Sequence, residues 1–252
     1  MKEIDLPKII SITKQAGQAI LEIYEKDFSI EYKDDKSPLT EADKKSNEII
    51  NKELNKFYPQ IVILSEENKE IDYNKRKDWD YFWLVDPLDG TKEFIKRNGE
   101  FTINIALIHK NEPVLGVVYI PVKNIIYYGD KNGSFRIEGD KIVKLEKKGR
   151  WQEKEKIHVV ASRSHFNKET KDFIENLGKK YSLVNAGSSL KLCLVAEGKA
   201  DIYPRLGPTM EWDTAAAHAV VKFAGGRVYD FKSKEELKYN KENLFNEWFI
   251  VE

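Results

Sequence analysis

The stretch "WLVDPLDGTKEFI", residues 83–95, limits what this chain can fold into more than any other. The apolar run Trp83-Leu84-Val85 reads as a buried strand that meets an aspartate, Asp86. Proline cannot continue a central ladder, so Pro87 predicts that the strand ends at Asp86 and the chain turns. Pro-Leu-Asp-Gly is sound turn chemistry, with proline presetting φ and Gly90 tolerating a positive value. Read alone, these residues account for themselves as a turn.

The spacing adds a second possibility. A turn there lets Asp86 and Asp89 converge, with the Leu88 carbonyl aimed between them. Three hard oxygens of this kind suit Mg²⁺, which takes near-octahedral oxygen coordination and keeps several waters. Downstream, "GTKEF" reads as a helix start, with Gly90 as cap and Glu93 as third helical residue. Amide groups at a helix N-terminus attract anions, so a metal site would adjoin a phosphate site. The two aspartates stand three apart, not two, which argues against a phosphatase motif whose first aspartate is the nucleophile.

Other acids fall at comparable places. Glu66 and Glu67 follow the apolar strand "IVIL", where solvated loop acids are the simpler account. Asp213 opens a small-residue helix in "MEWDTAAAHAVV", where an N-cap would explain it. Thr40 and Asp43 form a capping-box pattern. Strand ends and helix starts can meet in one cleft. Carboxylates buried there together would repel and lose hydration, so a divalent cation or proton uptake would be required.

The rest of the pattern divides near the charge-rich stretch 147–156, giving expected units at 1–150 and 151–252. In the first, residues 5–26 place Ile9, Ile12, Ala16, Ile20 and Ile23 on one helical face, with Pro7 near the start. "FSIEYK" reads as a short strand, "SPLTEADKKSNEIINKEL" as a second helix and 68–80 as a loop. "YFWLV", "FTINIALI", "VLGVVYI", "NIIYYG" and "SFRIEG" form an antiparallel meander. In the second unit strands alternate with helices at 167–178, 188–197 and 213–224, between "IHVVAS", "YSLVNAG", "ADIYPR" and "GRVYD". The fold class is therefore α+β passing into α/β.

Composition excludes some classes. Lys+Arg and Asp+Glu are each 42, so the basic excess of a general nucleic-acid or anionic-membrane binder is missing. No apolar run approaches the ~20 residues of a membrane span, and the N-terminus lacks a signal-peptide core. The single cysteine, Cys193, sits among apolar neighbours and reads as a buried hydrophobe in a reducing compartment. The expected location is the cytoplasm. The histidines at 109, 158, 165 and 218 show no metal-ligand spacing, and His218 reads as structural.

"ILSEEN", "WLVDPLDGT" and "EWDTAAAHAV" resemble, in this order, the three signature motifs of the inositol monophosphatase superfamily, whose members are lithium-sensitive Mg²⁺-dependent phosphatases. The resemblance runs over essentially the whole chain. "DPLDGTKEFIKRNGEFTINIALI", "SRSH", "GSSLKLCLVAEG" and "YPRLGPT" are most similar to one branch, the bacterial 3′(2′),5′-bisphosphate nucleotidases of sulfate assimilation, the CysQ type. Inositol-specific members usually carry Thr-Asn where this chain has Lys92-Glu93.

The resemblance implies a layered α-β-α-β-α fold and two or three Mg²⁺ ions. It implies metal ligands Glu66, Asp86, the Leu88 carbonyl, Asp89 and Asp213, with Glu67 behind them. Gly90 and Thr91 would hold the scissile phosphate, and Asp43, with Thr40 beside it, would stand near the attacking water or a second metal. Ser162, His165, Gly187 and Lys191 match the nucleotide side, Lys191 leading Arg163 and Arg205 as partner of a second phosphate. Ala217 departs from the glycine of many relatives. The implied reaction is hydrolysis of adenosine 3′,5′-bisphosphate to AMP and phosphate, by a monomer or homodimer acting on a small molecule. Peripheral association with the inner membrane is known for some relatives and is implied by resemblance alone. The rival expectations are an inositol monophosphatase or fructose-1,6-bisphosphatase on the same fold, and a non-catalytic metal or nucleotide sensor.

Overall fold

The computed structural model describes residues 4–26, 30–32, 38–68, 71–147, 149–162 and 167–252. Helix α1 (Leu6–Tyr24) is capped by Asp5, which accepts from Lys8 N, and buries Ile9, Ile12, Ala16 and Ile20 at the spacing its sequence dictates. A two-stranded ribbon, β1 (Ile30–Tyr32) and β2 (Pro38–Thr40), leads into α2 (Glu41–Phe57). Then follow β3 (Val62–Ser65), the short helix α3 (Tyr73–Arg76), β4 (Tyr81–Asp89), α4 (Thr91–Ile95), β5 (Thr102–His109), β6 (Glu112–Ile120), β7 (Ile125–Asp130), β8 (Gly133–Glu138) and β9 (Lys141–Leu145). The remainder comprises β10 (Lys156–Ser162), α5 (Lys168–Asn176), β11 (Lys180–Ala186), α6 (Leu190–Ala196), β12 (Tyr203–Arg205), α7 (Glu211–Phe223), β13 (Val228–Asp230) and β14 (Phe249–Val251).

Strands β3 to β9 form one seven-stranded sheet in sequence order, parallel only between β3 and β4. Trp83, Val85, Ile103, Ile105 and Val117 point to one face and pack with α1 and α2. Phe82, Leu84, Ala106, Ile108 and Val118 point to the other and pack with α6 and α7. Beyond those helices lies a second sheet. Its parallel pair β10–β11 is bridged through Val159 and Ile202 to the antiparallel order β12-β14-β13. Helix α5 covers the far face, where Ile174 packs with Ile157, Val159, Ile202 and Ile250. The layers run α-β-α-β-α.

Helix α7 can lie close on the first sheet because both surfaces are small there. It contributes Ala215, Ala216 and Ala219, and the sheet contributes Gly116 and Gly129. A methyl group at Gly116 would collide with the Ala216 carbonyl oxygen.

Several boundaries differ from the sequence expectations. Strand β4 does not end at Asp86; it runs to Asp89 through a register shift between the two. A bulge of this kind is where a strand tolerates proline. Helix α7 starts at Glu211, so Asp213 is its third residue and Met210 its N-cap. The stretch expected as a loop over 68–80 contains α3, and of "ADIYPR" only the last three residues are strand. Strand β14 lies beyond the strands that the sequence pattern predicts. No helix among the described residues is long and apolar enough to cross a membrane.

Candidate active site

One cleft of about 310 Å³ opens between the end of β4, the start of α4, the 187–189 loop and the first turn of α7. Glu66, Asp86, Leu88, Asp89, Gly90, Thr91, Ser162, Gly187, Lys191 and Asp213 all line it. The wall also includes Tyr203 and Arg205. His165 and Arg163 lie outside the described residues. Asp43 stands just behind the wall, where its carboxylate accepts from Thr91 Oγ1 at 3.1 Å.

The β4 bulge aims the acids. Asp86 Oδ1 accepts from Leu88 N at 3.0 Å, which folds the backbone around the carboxylate. Ser46 of α2 donates to the Pro87 carbonyl at 2.7 Å and pins the turn from below. Gly90 then caps α4 with φ of 92°, a left-handed conformation that glycine adopts at little cost. Asp89 is held from the other half of the chain. Its Oδ2 accepts from Ser189 N at 2.6 Å, and its carbonyl accepts from Ser188 Oγ at 2.9 Å. Asp213 accepts from Met210 N at 2.8 Å. Its place as third residue of a capping box, not as N-cap, projects the carboxylate from the helix start into the cleft.

The electrostatics are strained. Burial pushes the Asp86 carboxyl well above its ordinary range, and Glu66, Asp89, Asp213 and Asp43 add repulsion. Burial likewise raises Asp213, reinforced by Asp89 and Glu66. Asp89 is pushed up to about 6 by burial, against the pull of Lys191 and the Ser189 amide. Asp43 is also raised to about 6 by burial, although both its bonds from Thr40 oppose the shift. On the other side, burial lowers Lys191 to about 8, with Asp89 partly restoring it. Lys191 donates to the Ser188 carbonyl at 2.7 Å and lies near the Tyr203 ring.

These residues fit a divalent cation. In each of Asp86, Asp89 and Asp213 one carboxylate oxygen accepts a backbone N–H, and the other makes no hydrogen bond among the described residues. Hard oxygens in this number are the donors Mg²⁺ selects. As placed, no three His, Cys, Asp or Glu side chains among the described residues are arranged to hold an ion.

Two residues of this arrangement carried no local signal. Ser188 and Ser189 contact a residue about 100 positions earlier, and only the folded chain shows what they hold. Elsewhere, His218 is buried against Tyr239 and Glu236, and Cys193 is buried and unpaired, as expected.

The model of the inositol monophosphatase family matches residues 5–247. The 3′(2′),5′-bisphosphate nucleotidase CysQ of Salmonella typhimurium strain LT2 is 43% identical over 248 residues, which cover 98% of each chain. CysQ of Escherichia coli K12 is 42% identical with the same coverage. Among solved structures, CysQ of Bacteroides thetaiotaomicron superposes with a TM-score of 0.83 at 47% identity, covering 97% of this chain and 95% of that one.

Proposed function

The chain belongs to the inositol monophosphatase family, and from that premise we propose a Mg²⁺-dependent phosphatase that removes the 3′-phosphate of adenosine 3′,5′-bisphosphate to leave AMP. The observation that carries this reading is a cleft that holds acids and cations together. Glu66, Asp86, Asp89 and Asp213 line it, and Lys191 and Arg205 line it with them. A substrate with two phosphates answers both, and the full-length similarity to nucleotidases supports it.

We assign Glu66, Asp86, the Leu88 carbonyl, Asp89 and Asp213 as holders of two or three Mg²⁺ ions. When bound, the metal supplies charge neutralisation and Lewis-acid activation of water. The protein's own groups do the positioning. Gly90 and Thr91 offer backbone N–H groups to the scissile phosphate. Thr91 Oγ1 commits its proton to Asp43, so its lone pairs are left to accept from the attacking water and orient it. Lys191 neutralises the second phosphate, and a dianion beside it would hold it protonated. Ser162 and Gly187 flank the nucleoside. The reading includes a reducing, cytoplasmic setting, in keeping with the single buried cysteine.

A phosphate-release panel with Mg²⁺ tests the reading. Adenosine 3′,5′-bisphosphate should turn over far faster than inositol monophosphate or fructose 1,6-bisphosphate. Faster release from either of those two esters would overturn it, and nucleotide binding without phosphate release would point to a sensor. Lys191→Ala should raise KM for the bisphosphate by roughly tenfold or more, and for a nucleoside 3′-monophosphate much less. Equal effects on both would remove Lys191 from the second phosphate.

A further inference from the structure

Beneath the acids lies a buried polar side chain that the proposed mechanism does not use. Asn104 of β5 is 1% exposed, on the strand face that also carries Thr102, Ala106 and Ile108. It stands directly across the sheet from Asp86, in the register that pairs β4 with β5. Directly opposed residues of an antiparallel pair share a face, with Cβ atoms roughly 4.5–5.5 Å apart. Its Oδ1 accepts from Ser189 Oγ at 2.7 Å, and Ser189 Oγ lies 2.8 Å from Thr102 Oγ1. That bond fixes the amide, so its nitrogen is turned away from Ser189. The nitrogen, Nδ2, is fully buried and finds no acceptor among the described residues.

A buried amide nitrogen without an acceptor loses hydration for no return, so its retention beside Asp86 calls for a partner. Asp86 stands opposite it in the register, and the second oxygen of that carboxylate also lacks a hydrogen bond among the described residues. Ser189 is the residue whose N–H holds Asp89. The same short cluster thus reaches both acids of the β4 turn.

We propose that Asn104 is a positioning residue for the cation site: anchored by Ser189, it presents its N–H donors to Asp86 and sets that carboxylate in register with Asp89. A donor to one lone pair of a ligating carboxylate fixes its orientation and leaves another lone pair for the ion. This inference builds on the Mg²⁺ phosphatase reading.

The test is Mg²⁺ affinity, measured by titration calorimetry on the full chain with the metal alone, alongside phosphate release. Asn104→Ala should weaken Mg²⁺ binding by roughly 10- to 100-fold. The Mg²⁺ concentration for half-maximal turnover should rise in step, while the nucleotide KM at saturating Mg²⁺ stays within about twofold of wild type. Asn104→Ser, which keeps a donor, should recover most of the affinity. If Asn104→Ala does not fold, Ser189→Ala carries the test: the amide is released to rotate, and a loss of at least about threefold is expected. Unchanged Mg²⁺ affinity in the folded variant overturns the assignment, and so does a loss that Asn104→Ser fails to restore. Either result leaves the phosphatase reading intact, because wild type still binds Mg²⁺ and releases phosphate. A wild type that does neither overturns both.

Discussion

Asp43→Asn in the metal-free protein tests the electrostatic account of the cleft most directly. Asp43 is buried, and its carboxyl is raised from 3.8 to about 6, chiefly by that burial. A carboxyl whose folded pKa exceeds its unfolded one binds protons more tightly when folded. It therefore destabilises the fold above about pH 6, and that cost fades as pH falls toward the unfolded value. Between about pH 7.5 and about pH 5.5 a single group with these values changes stability by about 1 kcal/mol. For a chain of 252 residues this corresponds to roughly 2–4 °C in Tm. The amide cannot ionise, so the variant lacks this component. Its Tm relative to wild type should be higher at about pH 7.5 than at about pH 5.5 by at least that amount, since the Asp43 charge also adds to the repulsion on Asp86. Buried His218 titrates in the opposite sense, but equally in both proteins, and drops out of the difference. The assay is thermal unfolding in chelator at the two pH values. A Tm difference that does not change with pH would refute the reasoning.

Two other outcomes follow from the same geometry. Asp89→Asn should cut turnover by more than the roughly 100-fold typical of losing an outer metal partner, with the metal-free circular dichroism unchanged; retained activity would remove Asp89 from the metal set. Gly116→Ala should lower Tm by an amount equivalent to about 1–3 kcal/mol, because its methyl meets the Ala216 carbonyl; an unshifted melt would sink the close-approach account of α7.

What the sequence disclosed was chemistry written in consecutive residues. Asp86, Leu88, Asp89, Gly90 and Thr91 could be read together because one turn holds them, and Thr40 with Asp43 because a capping box spans three residues. The α1 stripe was legible for the same local reason. Structure and local rule part where tertiary contacts override the rule. Pro87 should stop a strand, but a bulge lets β4 continue past it. Asp213 looked like an N-cap because Met210 carries no capping side chain, yet the helix begins there and uses Asp213 from within. Strand β14 is three residues long and has meaning only between β12 and β13. Ser188, Ser189 and Asn104 act through contacts with residues far away in the chain, for which no periodicity or spacing gives notice.

The clasp that Ser188 and Ser189 place on Asp89 has a consequence for when the protein can first act. During synthesis the acid turn leaves the ribosome about a hundred residues ahead of the serines that hold it, and further still ahead of Asp213. Nascent chains fold from the N-terminal end, so the first sheet can form while the cleft has only one wall. Hydrolytic competence thus arrives last, with the docking of the final helices. A truncated or half-folded copy would carry the conspicuous motif and remain inert toward the cell's phosphate esters.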